Sequence, residues 1–128
     1  MGRTTRPAIG LAVLAAVTLS GCVAPSPAPT RLQITTVRVI CGGAVPPPGE
    51  PFCRSGVAPR TVDVTRGRVV VATGTSDADG QLLLTVPPGD LDVSVPGAQP
   101  YEGCEAAAVT AVSGRITPVT QTCTMLVP

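Results

Sequence analysis

From Leu32 onward, proline or glycine interrupts the chain so often that no segment has the length or the period of a helix. What survives between the breaks is strand chemistry. Leu32 to Ile40 is rich in β-branched residues, and its alternation shifts phase near Thr36, as at a bulge. Thr61 to Thr65 places Val62 and Val64 on one face, and Arg66-Gly67 turns the chain into the valine-rich run Arg68 to Thr73. After the Asp77-Ala78-Asp79-Gly80 turn, Gln81 to Val86 sets Leu82, Leu84 and Val86 together. Pro87-Pro88-Gly89 ends that strand. Asp90 to Val95 then alternates Leu91, Val93 and Val95 with Asp90, Asp92 and Ser94. Two further strands lie between Cys104 and Cys123, reversing at Ser113-Gly114 as a hairpin. Seven short strands without a helix predict an all-β, single seven-stranded Greek-key-like β-sandwich.

The N-terminal region has a different character. Arg3 and Arg6 precede the apolar run Ala8 to Leu19, which is too short to span a bilayer and reads as an export signal. Its end, Leu19-Ser20-Gly21-Cys22, resembles the lipobox of bacterial lipoproteins. The resemblance implies diacylglycerol on the Cys22 thiol, cleavage before Cys22 and acylation of the new N-terminus. The chain then divides into a signal peptide (1–21), a Pro-rich tether (22–31) and a β-sandwich domain (32–128). Pro25, Pro27 and Pro29 hold the tether extended at about 3.1 Å per residue, a reach of about 25 Å.

Cysteine arithmetic agrees. Five cysteines would leave one thiol over in an oxidising compartment. With Cys22 committed to lipid, Cys41, Cys53, Cys104 and Cys123 suffice for two disulfides. Zinc would want close C-x2-C pairs or histidines, and the chain has neither, so no metal is expected. A Cys41–Cys53 bridge would close the irregular loop from Gly42 to Phe52, and a Cys104–Cys123 bridge would cross the base of the last hairpin.

Composition excludes several functions. Once residues 1–21 are removed, seven arginines face eight acids, which leaves no electrostatic footprint for nucleic acid. The chain contains no His and no Lys, so Ser-His-Asp, Cys-His and amine-nucleophile arrangements are ruled out; no catalytic residue and no cofactor are expected. Asp77 and Asp79 lack the terminal bidentate acid of a calcium loop and read as turn residues. Asp90, Asp92, Glu102 and Glu105 read as solvated surface. Phe52 and Tyr101 are the only aromatic residues, and each is expected to pack against a neighbouring disulfide.

Thr75 to Val95, T-S-D-A-D-G-Q-L-L-L-T-V-P-P-G-D-L-D-V-S-V, resembles the carboxypeptidase regulatory-like domain, a transthyretin-like (prealbumin-like) sandwich. Thr75, Asp77, Gly80, Pro88 and Gly89 stand at its turn positions, although Ser76 and Ala78 lengthen the turn. Leu82 and Leu91 replace the Phe and Tyr common in that family. The chain also looks like small bacterial lipoproteins with a Cys-bounded, Pro/Gly-rich insertion after the first strand and a second Cys pair around the last hairpin. The resemblance implies a non-enzymatic accessory module on the outer face of the bacterial cytoplasmic membrane. It would be held there by lipid on Cys22, with a structural role or an envelope protein as partner. The alternative is a lipoprotein that binds or senses a small carbohydrate or peptide.

Overall fold

The computed structural model describes Gly2 and residues 27–128. The expected lipidation site Cys22, the expected signal segment apart from Gly2, and residues 22–26 of the expected tether lie outside the described residues.

Nine strands and no helix make up the described chain: β1 (Arg31–Gly42), β2 (Cys53–Val57), β3 (Thr61–Arg66), β4 (Val69–Thr75), β5 (Gln81–Thr85), β6 (Gly89–Ser94), β7 (Glu102–Cys104), β8 (Ala107–Ala111) and β9 (Ile116–Val127). They form two sheets. One has the order β2-β1-β9-β7, with β5 also on β1, and the other has the order β4-β3-β6-β8. The all-β reading holds, but the count of seven is corrected to nine. The two additional strands, β2 and β7, are short and begin or end on a cysteine. Spacing statistics miss them because a three- or five-residue strand beside a Pro/Gly loop carries no period of its own.

The first and last strands lie side by side and parallel, in register from Arg31↔Ile116 to Gly42↔Val127. Arg31 N–H donates to Arg115 O at 3.0 Å, whereas Thr36 N–H donates to Gly80 O at 2.8 Å on the opposite edge. Odd-numbered β1 amides therefore face β9, and even-numbered ones face β5 and β2. That second edge changes partner midway. Residues 31–35 pair with β5, and residues 37–41 pair with β2.

Thr36 stands at the change and is 1% exposed. Its hydroxyl shares a 2.6 Å hydrogen bond with Ser76 Oγ and donates to Ala58 O, also at 2.6 Å. Its carbonyl accepts from Ala58 N at 3.3 Å. Gly80 abuts this point with φ +71°, and a Cβ there would meet Thr36 O at 2.6 Å. The phase shift in the sequence at Thr36 is thus no bulge: Thr36 continues the buried row of Leu32 and Ile34 as a hydroxyl. The irregularity in pairing falls instead between β3 and β4, at Val64/Thr65.

The hydrophobic core fills only one half of the longer sheet. Leu32 and Ile34 pack with Val62, Val64, Val86, Leu91, Val93 and Ala111, all at 5% exposure or less. Burying each of the Val, Leu and Ile side chains contributes about 1.5–3 kcal/mol. The predicted rows Val62/Val64 and Leu91/Val93 are in the core as the alternation required.

One expectation fails. β8 and β9 are not a hairpin: β8 pairs with β6 in the second sheet, and β9 with β1 in the first. The turn at Ser113-Gly114 exists, with Gly114 at φ +71° and Arg115 N–H donating to Val112 O at 3.1 Å, but it carries the chain between layers. The small apolar row Ala107, Val109 and Ala111 on β8 suits either layer, so sequence spacing could not choose between them.

Thr36→Val should remove two hydroxyl bonds and leave Ser76 Oγ and Ala58 O short of a buried partner. The expected loss is about 2 kcal/mol in urea unfolding, with the m-value unchanged. A loss below about 0.5 kcal/mol would show that the node does not matter.

Candidate functional site

Beyond Thr36 the two long strands continue past the core, and the inward face changes chemistry. Side chains in register share a face, so two rows can be read across the sheet. One holds Gly56, Arg38, Cys123 and Cys104; the next holds Arg54, Ile40, Met125 and Glu102. The two disulfides lie on opposite faces. Cys104–Cys123 is on this inward face, and Cys41–Cys53, one residue out of phase, is on the outer face.

Both bridges join directly opposed residues on antiparallel strands, with Cα separations of 4.1 Å for Cys41–Cys53 and 4.2 Å for Cys104–Cys123. These are the spacings of non-hydrogen-bonded pairs. The predicted pairing therefore stands, while the register differs from the wider pair that a two-residue hairpin turn would have produced. β7 supplies Cys104, so the second bridge pins a three-residue edge strand onto β9.

Arg60, just ahead of β3, reaches the same face. Its guanidinium forms an ion pair with Glu102 and donates to Cys104 Sγ at 3.7 Å. The paired side chains are only 17% and 3% exposed. Burial, and then the charge of Arg38, holds the Arg60 guanidinium below its ordinary value. Glu102 is thus a correction to the sequence reading, which placed it on a solvated surface. The signal was present: Glu102 and Cys104 are two residues apart on a strand, so an inward Cys104 carries Glu102 inward too.

Glu102, Cys104 and Cys123 bring a carboxylate oxygen and two sulfurs within 4.8 Å of one another. In the oxidised chain those sulfurs are bonded to each other and the carboxylate pairs with Arg60. The cluster is a structural lock and offers no free thiolate to a metal.

The remaining sequence candidates disperse. Asp77 Oδ1 accepts from Asp79 N and Gln81 N, both at 2.9 Å, and is the cap of its own turn. Asp90 Oδ1 accepts from Thr110 Oγ1 at 2.7 Å across β6 and β8. Glu105 is exposed, and its backbone carbonyl accepts from Gln121 Nε2 at 2.7 Å. Phe52 and Tyr101 are both more than half exposed, contrary to the expectation that they would pack against disulfides.

Open backbone is the other notable feature. On β9, Thr124 bonds to β7, so the even-numbered residues from Ile116 to Thr122 point toward an edge that no described strand pairs. Pro118 occupies one of these outward positions and removes no bond from the β1–β9 ladder, which makes it edge protection. A groove of about 440 Å³ follows this edge, walled by Gly103, Glu105, Thr120 and Thr122.

No family model matches this chain, and no curated protein or solved structure matches it either.

Removing one member of a buried ion pair costs more than replacing both, so Glu102→Gln should destabilise by about 3 kcal/mol. The double variant Arg60→Met with Glu102→Leu should recover most of that loss. Additive effects of Arg60→Met and Glu102→Leu, each measured alone and together by urea unfolding, would show that the pair is not coupled.

Proposed function

We propose that this protein is a non-enzymatic, lipid-anchored β-sandwich of the bacterial cell envelope. Its diacylglyceryl-modified Cys22 would hold it on the outer face of the cytoplasmic membrane, and its work is to engage a protein partner there. The observation that carries this reading is the polarity of the body. Residues 27–30 enter at the start of β1, where Thr30 Oγ1 accepts from Gly114 N at 3.0 Å. From that point β1 and β9 run in parallel for twelve residues, about 40 Å. Both disulfides and the loop containing Val45 and Phe52 stand at the opposite end. An anchor at Cys22 would leave the stapled end farthest from the lipid.

The filled core favours this reading over an enclosed small-ligand site. Between the sheets lie packed aliphatic side chains, and the grooves described above open to solvent. The resemblance to prealbumin-like, carboxypeptidase regulatory-like domains belongs to the same proposal. Apart from β2 and β7, seven strands remain. β4 and β5 meet at a corner, where a Cβ on Gly74 would stand 2.9 Å from Leu84 Cδ2. β6 returns beside β3, giving the spatial order β6-β3-β4-β5, a pattern that supports a Greek key spanning both layers.

Mass spectrometry of the protein from its native envelope should find the mature N-terminus at Cys22 carrying diacylglycerol, and Cys22→Ser should move the protein out of the membrane fraction. An unmodified N-terminus elsewhere would contradict anchoring. A photocrosslinker at Val45 or Phe52 should capture an envelope protein, and one at Thr85, near the tether end, should not.

A further inference from the structure

The inward face beyond the core holds more positive charge than the protein itself neutralises. Arg60 has Glu102. Arg54 has only a loose surface contact with Glu50 at 3.9 Å, with side chains 82% and 54% exposed. Arg38 pairs with no acidic side chain among the described residues, and its Nε–H is buried without a hydrogen-bond partner; the Arg60 Nε–H is likewise unpartnered. Burial first, and then repulsion from Arg38, holds the Arg60 guanidinium below its ordinary value. Three guanidiniums against two carboxylates leave one positive charge over.

Space exists beside it. Gly56 lies directly across from Arg38, and a Cβ built on Gly56 would meet nothing within 4 Å. Arg54 is the diagonal neighbour of Arg38 on the same face. Together with Ile40, Val57 and Ala58 these residues line an open groove of about 280 Å³. Its composition is that of a receptor for an anionic group on an apolar stem. A planar guanidinium fork matches a carboxylate in bidentate fashion.

β2 adds the means of delivery. It is an edge strand with all five residues exposed. Arg54 and Gly56 bond to β1, so Cys53, Ser55 and Val57 turn their backbone groups to the open edge. A strand added there would place the side chain opposite Gly56 on the inward face, over the empty position next to Arg38.

We infer that the groove over Gly56 is a carboxylate-binding site, taking an acidic side chain of an extended peptide that pairs with the open edge of β2, with Arg38 as the primary ligand and Arg54 as the second. This deepens the protein-interaction reading by giving the partner's chemistry. One surplus charge calls for a monovalent carboxylate, not a phosphate dianion.

The test is NMR titration of the purified full-length protein, following the Arg38 Nε–H and Gly56 N–H signals. The probes are the peptide acetyl-Thr-Val-Glu-Val-Thr-amide, its Gln counterpart, and inorganic phosphate. The Glu peptide should bind at least about tenfold more tightly than the Gln peptide, as a charge-assisted pair requires, and should weaken with added salt. Arg38→Gln should abolish the preference; Arg68→Gln, in the turn between β3 and β4, should leave it intact. Gly56→Leu keeps every arginine and fits an open position, so it should block binding even if Arg38→Gln fails to fold. Equal affinity for the two peptides, unchanged binding in Gly56→Leu, or tighter binding of phosphate than of the Glu peptide would overturn the assignment. An envelope partner captured by crosslinking together with equal Glu and Gln affinities would sink this site alone. A clear Glu preference together with a native N-terminus that carries no lipid would instead sink the anchoring reading alone.

Discussion

Everything in this molecule depends on the parallel pairing of its first and last strands. Arg31 meets Ile116 at a sequence separation of eighty-five, and the ladder then runs without a register shift to Gly42 and Val127. It joins β1, which carries β5 and β2 on its other edge, to β9, which carries β7, into one sheet. Closing so long a loop is entropically unfavourable before any contact compensates it, which predicts slow folding. The chain ends of the domain are fixed accordingly. Thr30 O accepts from Val86 N at 3.0 Å, and Thr30 Oγ1 accepts from Gly114 N, so the entry to β1 is tied to β5 and to the turn before β9.

Along this ladder the stabilising physics changes at Thr36 and Gln121, which face each other in register and are each 1% exposed. On one side, aliphatic packing between two layers holds the sheet. On the other, the second layer stops short, and the Cys104–Cys123 disulfide and a buried ion pair replace it, while Cys41–Cys53 staples the outer face. Almost no aromatic area is available to this chain, so the core alone is thin for a body of this length. Each bridge closes a short loop and contributes about 2–4 kcal/mol. The chemistry of the polar half also differs from the core's, because an arginine-rich face exposes hydrogen-bond donors where an aliphatic one would only exclude water.

Much of this was legible in the amino-acid order. Period-two alternation identified β3, β5 and β6 and their buried rows, since Val62, Val64, Leu91 and Val93 each repeat every second residue between unambiguous turns. The disulfide partners were legible from the need to close the Pro/Gly loop and to pair what remained. The assignment of strands to layers was not. Cys104 and Cys123 are bridged as expected, yet the intervening strand β8 belongs to the other sheet. Local spacing reports where a strand lies and which way it faces, but the choice of neighbour is set by the whole packing. The candidate site was least visible of all. Arg38, Arg54 and Arg60 look like ordinary surface cations, and only the register brings Arg38 opposite Gly56 and Glu102 onto the row beside Cys104.

Native-state amide hydrogen exchange tests the central pairing most directly. The odd-numbered amides of β1, Arg31 to Cys41, and Thr117, Val119 and Gln121 of β9 face each other, and they should exchange slowest, at the rate of global unfolding. The even-numbered amides Thr120 and Thr122, on the open edge, should exchange far faster. Equal protection of odd and even β9 amides, or rapid exchange throughout β9, would contradict a body built on its first and last strands.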